Sequence, residues 1–139
     1  MSILDGISFF DNLSLQEKDN LALFCQERFL KAGEVLFKEG DEATALYIVK
    51  SGKLRVHKER PDGDQTLGYI EQGEFVGEMA FFDGENIPKR RMASVKSLEE
   101  TVLIVMMNYS ITELARKRKD IYDKIAEVIN DRKLKNELK

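Results

Sequence analysis

The rhythm of apolar residues changes twice along the 139-residue chain. Near the start, Ser14 and Glu17 form the S-x-x-E capping-box pattern, in which each side chain satisfies a backbone N–H left open at a helix start. Leu21, Phe24 and Cys25 follow at helical spacing, so a helix is predicted there. Ahead of it, Ile7, Phe9, Phe10 and Leu13 predict a short docking segment. From Phe29 to Met107 the rhythm becomes strand-like. Short apolar runs at Val35 to Phe37, Leu46 to Val49, Leu54 to Val56, Leu67 to Ile70, Ala93 to Val95 and Val102 to Met106 alternate with turn signals such as Ser51-Gly52 and Pro61-Asp62-Gly63. Strands at this spacing predict an antiparallel sandwich or barrel. Helical rhythm then returns. Ser110 with Glu113 repeats the capping box, and Asp120 is placed to cap a second segment carrying Ile121, Ile125, Val128 and Ile129 on one side. That stripe needs a cover, either the chain's own core or the same helix of a second copy in a homodimer.

The glycines repeat this division. Eight of the nine lie between Gly33 and Gly84, and none follows, as expected of turn-linked strands succeeded by uninterrupted helix. With 42% hydrophobic and 34% charged residues and 2 prolines, the composition is that of a globular chain and excludes a disordered one. No apolar run approaches the ~18 residues of a membrane span, and the N-terminus lacks a secretory pattern, so a cytoplasmic protein without membrane contact is expected. One cysteine, Cys25, and one histidine, His57, exclude a disulfide, a Cys/His zinc site and a dithiol redox pair. His57 stands in a strand pattern with no nucleophile motif near it and reads as a surface histidine. No catalytic residue, metal or cofactor is expected, and the chain is not read as an enzyme. Residues 116–139 carry +4 and the rest −7. A basic helical tail can touch nucleic acid, but only one aromatic, Tyr122, lies among its charges, so a solvated helix face with pairs such as Asp120 and Lys124 is the expectation.

Candidate chemistry concentrates in one stretch, Gly73-Glu74-Phe75-Val76-Gly77-Glu78-Met79-Ala80-Phe81-Phe82, followed by Arg90-Arg91-Met92-Ala93-Ser94-Val95. Gly77 permits close backbone approach. The good helix formers after it would present unpaired N–H groups, a ready anion site, and an arginine on the next strand adds a charge-assisted fork for a phosphate. A carboxylate in such a nest, Glu78, makes sense for a ligand that also donates hydroxyls, as a ribose does. The alternative is a plain Glu78 to Arg91 salt bridge across a turn.

These residues resemble the cyclic nucleotide-binding domains of catabolite-activator proteins, protein kinase regulatory subunits and nucleotide-gated channels. The family cassette F-G-E-x-A, a variable loop, then R-[STA]-A-[ST]-V is matched by Val76-Gly77-Glu78-Met79-Ala80 and Arg91-Met92-Ala93-Ser94-Val95. Further likeness runs through Ala32 to Asp41, Leu46 to Gly52, Asp62-Gly63 and Gln72-Gly73-Glu74, nearly the whole chain. The resemblance implies a mainly β fold with flanking helices: a jelly-roll β-roll (double-stranded β-helix) with an N-terminal helix and a C-terminal lid helix. Residues 1–28 would form the N-terminal helical segment, 29–107 the roll with its phosphate-binding cassette at 73–95, and 110–139 the C-terminal helices of one domain.

By the same resemblance, Arg91 holds the exocyclic phosphate, Glu78 takes the ribose 2′-hydroxyl, and the backbone near Gly77, Met79 and Ala80, with Met92 and Ala93, completes the ligand-binding set. Val56, Leu67 and Ile70 match the apolar platform for the base, although each also suits the core. Arg132 and Asn136 are the polar candidates on the lid. The loop from Asp83 to Arg90 is a few residues longer than usual, and Arg90 offers a second phosphate reader, though Ala93-Ser94-Val95 sets the register on Arg91. Met92 replaces the hydroxyl that helps read guanine, which favours cAMP over cGMP. The implied function is a sensor whose C-terminal helix relays occupancy to an unknown effector protein. The alternative is a degenerate fold with an empty pocket, used for dimerisation or protein interaction. Nucleic-acid binding ranks below both.

Overall fold

The computed structural model describes residues 3–4, 6–77 and 90–137, without the side chains of 8, 108, 109, 128–130 and 132–137. A 3-10 turn at Ser8–Phe10 leads into helix α1, Leu15–Ala22. The Ser14 cap is formed on both sides: Glu17 N–H donates to Ser14 Oγ at 3.1 Å, and Ser14 N–H donates to Glu17 Oε1 at 3.0 Å. The helix stops before the predicted Phe24 and Cys25. Phe24 is exposed, and Cys25 opens strand β1, Cys25–Leu30, paired with Met106. The roll therefore starts four residues earlier than residue 29, because cross-strand pairing outweighs the helical spacing of two apolar side chains.

The remaining strands are β2 (Val35–Phe37), β3 (Ala45–Ser51), β4 (Leu54–Lys58), β5 (Gln65–Ile70), β6 (Phe75–Val76), β7 (Ser94–Ser97) and β8 (Thr101–Met107). They form two four-stranded antiparallel sheets, in the orders β1-β8-β3-β6 and β2-β7-β4-β5. The architecture is mainly β with flanking helices, the expected β-roll. Helices α2 (Asn108–Lys117) and α3 (Lys119–Glu137) close the chain.

Strand β3 is buried on both faces, which accounts for its unbroken apolar run. Ala45, Tyr47 and Val49 enter a core between the sheets with Leu30, Leu36, Leu54, Ile70, Val76, Val95 and Leu103. Leu46 and Ile48, one position out of phase, enter a second core with Phe9, Phe10, Leu13, Ile104, Met106, Ile111, Ile121 and Ile125. The second core is where the helices dock. Ile7, Phe9, Phe10 and Leu13 are all buried in it, as a docking segment should be, and Ile121 and Ile125 cover the start of the C-terminal stripe from within the same chain.

Two further expectations are corrected. Ser110 is not a cap: α2 starts at Asn108 after Met107, whose side chain makes no capping bond, and Ser110 lies inside the first turn with its Oγ buried and without a hydrogen-bond partner among the described residues. Asp120 likewise lies inside the first turn of α3, where its carboxylate accepts from Arg118. The β3–β4 turn needs its glycine, since Gly52 has φ +102° and a Cβ there would stand 2.7 Å from the Glu100 carbonyl oxygen.

Candidate functional site

Arg91 is a buried cation, 6% exposed where an arginine is ordinarily solvated. Its backbone sets its position. Arg91 N–H donates to Asp41 O at 2.7 Å, and Gly40 N–H donates to Arg91 O at 2.8 Å, zipping the end of the cassette to the β2–β3 turn. The side chain then runs inward. Its Nη2 donates to Ala45 O at 2.7 Å, its Nη1 donates to Gly77 O at 3.1 Å, and its guanidinium carbon lies 4.2 Å from the Phe37 ring centroid and 5.7 Å from that of Tyr47. Charge-assisted bonds to two carbonyls and an aromatic face compensate a cation taken out of water.

The role of Gly77 is sharpened by this arrangement. It has φ +91°, and a Cβ on it would lie 2.5 Å from Arg91 Nη1 and 3.1 Å from Ala45 O. The space that sequence reasoning reserved for a phosphate beside Gly77 is filled, in this structure, by the guanidinium. Arg90 differs from its neighbour. It is exposed, bridges to Glu42 along the backbone and donates weakly to Gly40 O at 3.5 Å, so of the two arginines it is Arg91 that is built into the interior.

Of the other predicted site residues, Met92 stands 63% exposed and Ala93 half-buried at the entry to β7. Val56 is half-buried against the inter-sheet core, the core to which Phe37 and Tyr47 also belong; Leu67 is half-buried on β5, and Ile70 lies within that core. Glu78, Met79 and Ala80 lie outside the described residues, as does the loop up to Lys89. Arg132 and Asn136 are in α3, but their side chains lie outside the description. Phe37, Ala45 and Tyr47 were not singled out in the sequence. Nothing local marks them, since each meets the Arg91 side chain only once the strands have paired.

His57 is corrected from surface to interior: it is 5% exposed, and neither ring nitrogen has a hydrogen-bond partner among the described residues, with Asp64 Oδ2 at 3.6 Å from Nδ1. Burial lowers its pKa, reinforced by Arg55 and Lys96 and opposed by Asp64 and Glu59. Among the described residues no group of three His, Cys, Asp or Glu side chains could hold a metal ion. No helix among them is long and apolar enough to cross a membrane.

The cyclic nucleotide-binding domain model matches residues 27–118, from β1 to the end of α2. The chain belongs to the cyclic nucleotide-binding domain family. The cyclic AMP receptor protein of Thermus thermophilus is 33% identical over 116 residues, which are 82% of this chain and 51% of that protein. A cGMP-dependent protein kinase of Plasmodium berghei is 33% identical over 84 residues, 60% of this chain and 9% of the kinase. In three dimensions, the crystal structure of the Thermus thermophilus catabolite activator protein aligns with a TM-score of 0.77 at 29% identity, covering 94% of this chain and 60% of that one. The chain thus spans about half of the receptor protein and a small part of the kinase, and the likeness to both is a likeness of this nucleotide-binding domain.

Proposed function

We propose that the chain is a non-catalytic cyclic nucleotide sensor that binds cAMP in preference to cGMP and relays occupancy through α3 to an effector protein. The observation that carries this reading is Arg91: a buried arginine held by the Ala45 and Gly77 carbonyls, at the position the family resemblance gives to the phosphate reader. A monoanionic phosphodiester is an anion that a guanidinium binds through paired, charge-assisted hydrogen bonds. Glu78 takes the ribose 2′-hydroxyl, Gly77, Met79, Ala80, Met92 and Ala93 line the phosphate and sugar, and Val56 and Leu67 face the base. The missing hydroxyl at Met92 disfavours guanine, and the relative named for cyclic AMP is consistent with that choice.

The relay we propose is a change of packing. The start of α3 is buried in the helical core through Ile121 and Ile125, so the rest of the helix can take a second packing when nucleotide arrives, with Arg132 and Asn136 turned to the ligand. A cytoplasmic location and a homodimer formed through α3 belong to the same reading.

Titration calorimetry with cAMP and cGMP tests the reading. Heat is expected from cAMP at lower concentration than from cGMP, and Arg91→Ala or Glu78→Ala should abolish it. A parent chain that binds neither nucleotide would favour the second reading, a fold kept for protein interaction with an empty pocket.

A further inference from the structure

We propose that Phe37 is a positioning residue for Arg91: its ring is the floor of a fixed seat that presents the guanidinium to an anion. The functional consequence rests on the nucleotide reading above. The seat is built by elements far apart in the chain. Phe37 ends β2 and is paired with Val95 on β7; Tyr47 lies in the middle of β3, paired on one side with Val76 and on the other with Val105; Ala45 starts β3 opposite Met107.

Phe37, Tyr47 and Ala45 are therefore tied into sheets, and Gly77 directly follows β6. Arg91 itself is not in a strand but in the segment leading to β7. A long side chain on such a segment samples many rotamers unless its head is held, and holding it beforehand removes that ordering cost from ligand binding.

The two carbonyl oxygens fix the guanidinium at its edge, through Nη1 to Gly77 and Nη2 to Ala45. Two bonds in one plane still allow the group to tilt. The Phe37 ring, with its centroid 4.2 Å from the guanidinium carbon, opposes that tilt, and Tyr47, whose centroid is 6.0 Å from that of Phe37, backs it. An aliphatic residue of similar size at 37 would keep the core filled and lose the flat, electron-rich face.

The test has a ligand-free arm and a binding arm. In the ligand-free protein, the Arg91 Nε–H resonance is identified by its loss in Arg91→Lys and followed in Phe37→Leu and Phe37→Tyr. A ring-shifted, slowly exchanging resonance is expected in the parent and in Phe37→Tyr, and a shift towards free arginine in Phe37→Leu. In the binding arm, Phe37→Leu should weaken cAMP binding about three- to tenfold, with Phe37→Tyr near the parent. Should Phe37→Leu fail to fold, Phe37→Met takes its place in both arms.

An Arg91 resonance that is the same in Phe37→Leu as in the parent, or an affinity that is unchanged or increased, overturns the proposal. A parent that binds no cyclic nucleotide removes the nucleotide reading instead, and the ligand-free arm then decides the seat by itself.

Discussion

The guanidinium of Arg118 grips both carboxylate oxygens of Glu17, 101 residues earlier, at 2.8 and 2.7 Å. The same group donates to both oxygens of Asp120 at 3.1 Å and to the Asn12 carbonyl at 3.0 Å. Arg118 is also the C-cap of α2 and accepts from Ile121 N–H at the start of α3. One side chain thus ties the cap of the N-terminal helix to the junction between the two C-terminal helices.

Replacing Arg118 by glutamine should lower the unfolding temperature and loosen the N-terminal segment, because two carboxylates and a carbonyl lose their shared partner. The effect should depend on pH. Glu17 is held below its ordinary 4.5 by the Ser14 N–H and Arg118, and Asp120 below its ordinary 3.8 by Arg118. Carboxyls depressed in the folded state contribute stability above those values and lose it as pH falls through the folded ones. Unfolding curves of parent and Arg118→Gln should therefore stand apart at neutral pH and converge in strong acid; a gap that persists unchanged at the lowest pH would show that the clamp is not ionic.

His57 supplies a second pH dependence at higher pH. Burial depresses its pKa below 6.5, so the unfolded chain takes up a proton that the folded chain resists. Stability is complete above about pH 6.5 and falls as the solution is acidified, until the folded-state imidazole is itself protonated. Urea unfolding of the parent should show this decline, and His57→Leu should flatten it. An equal slope in both chains would assign the decline to other groups.

Gly77→Ala should separate the two demands on this position. A side chain at φ +91° costs about 1–2 kcal/mol, and its Cβ meets the guanidinium. Moderate destabilisation together with a loss of cAMP affinity larger than that of Phe37→Leu is expected from calorimetry and thermal unfolding. Affinity equal to the parent would show that Arg91 binds from outside its seat.

Cys25 should be inert in the native protein. Its thiol is buried, lies 3.3 Å from the Leu21 carbonyl, and has its pKa pushed up to about 11 by desolvation. A thiol-reactive chromophore at pH 8 should label it only after denaturant is added; prompt labelling of folded protein would mean that β1 opens readily.

Features with short-range causes were legible before the fold was known. The Ser14 to Glu17 box spans one helical turn, and the strands of the roll begin and end near their turn signals, because capping and tight turns depend on neighbours in sequence. Ser110 with Glu113 shows the limit of that reasoning. The same motif has no capping role there, since the chain already turns helical at Asn108 as it leaves β8. Phe24 and Cys25 keep helical spacing yet are not helical, because β8 offers Cys25 a strand partner.

From its residues alone, this chain determined a glycine-punctuated roll between helical ends, its family, and an arginine at 91 in the register of a phosphate reader. Periodicity, turn chemistry and motif spacing are local, and they survive in one dimension. Only the tertiary structure decided that Arg91 rests on Phe37 between the carbonyls of Ala45 and Gly77, that Arg118 joins both helical ends, and that His57 is buried. Those relationships join residues 14 to 106 positions apart or depend on which face of a strand is covered, and they exist only once the sheets have paired.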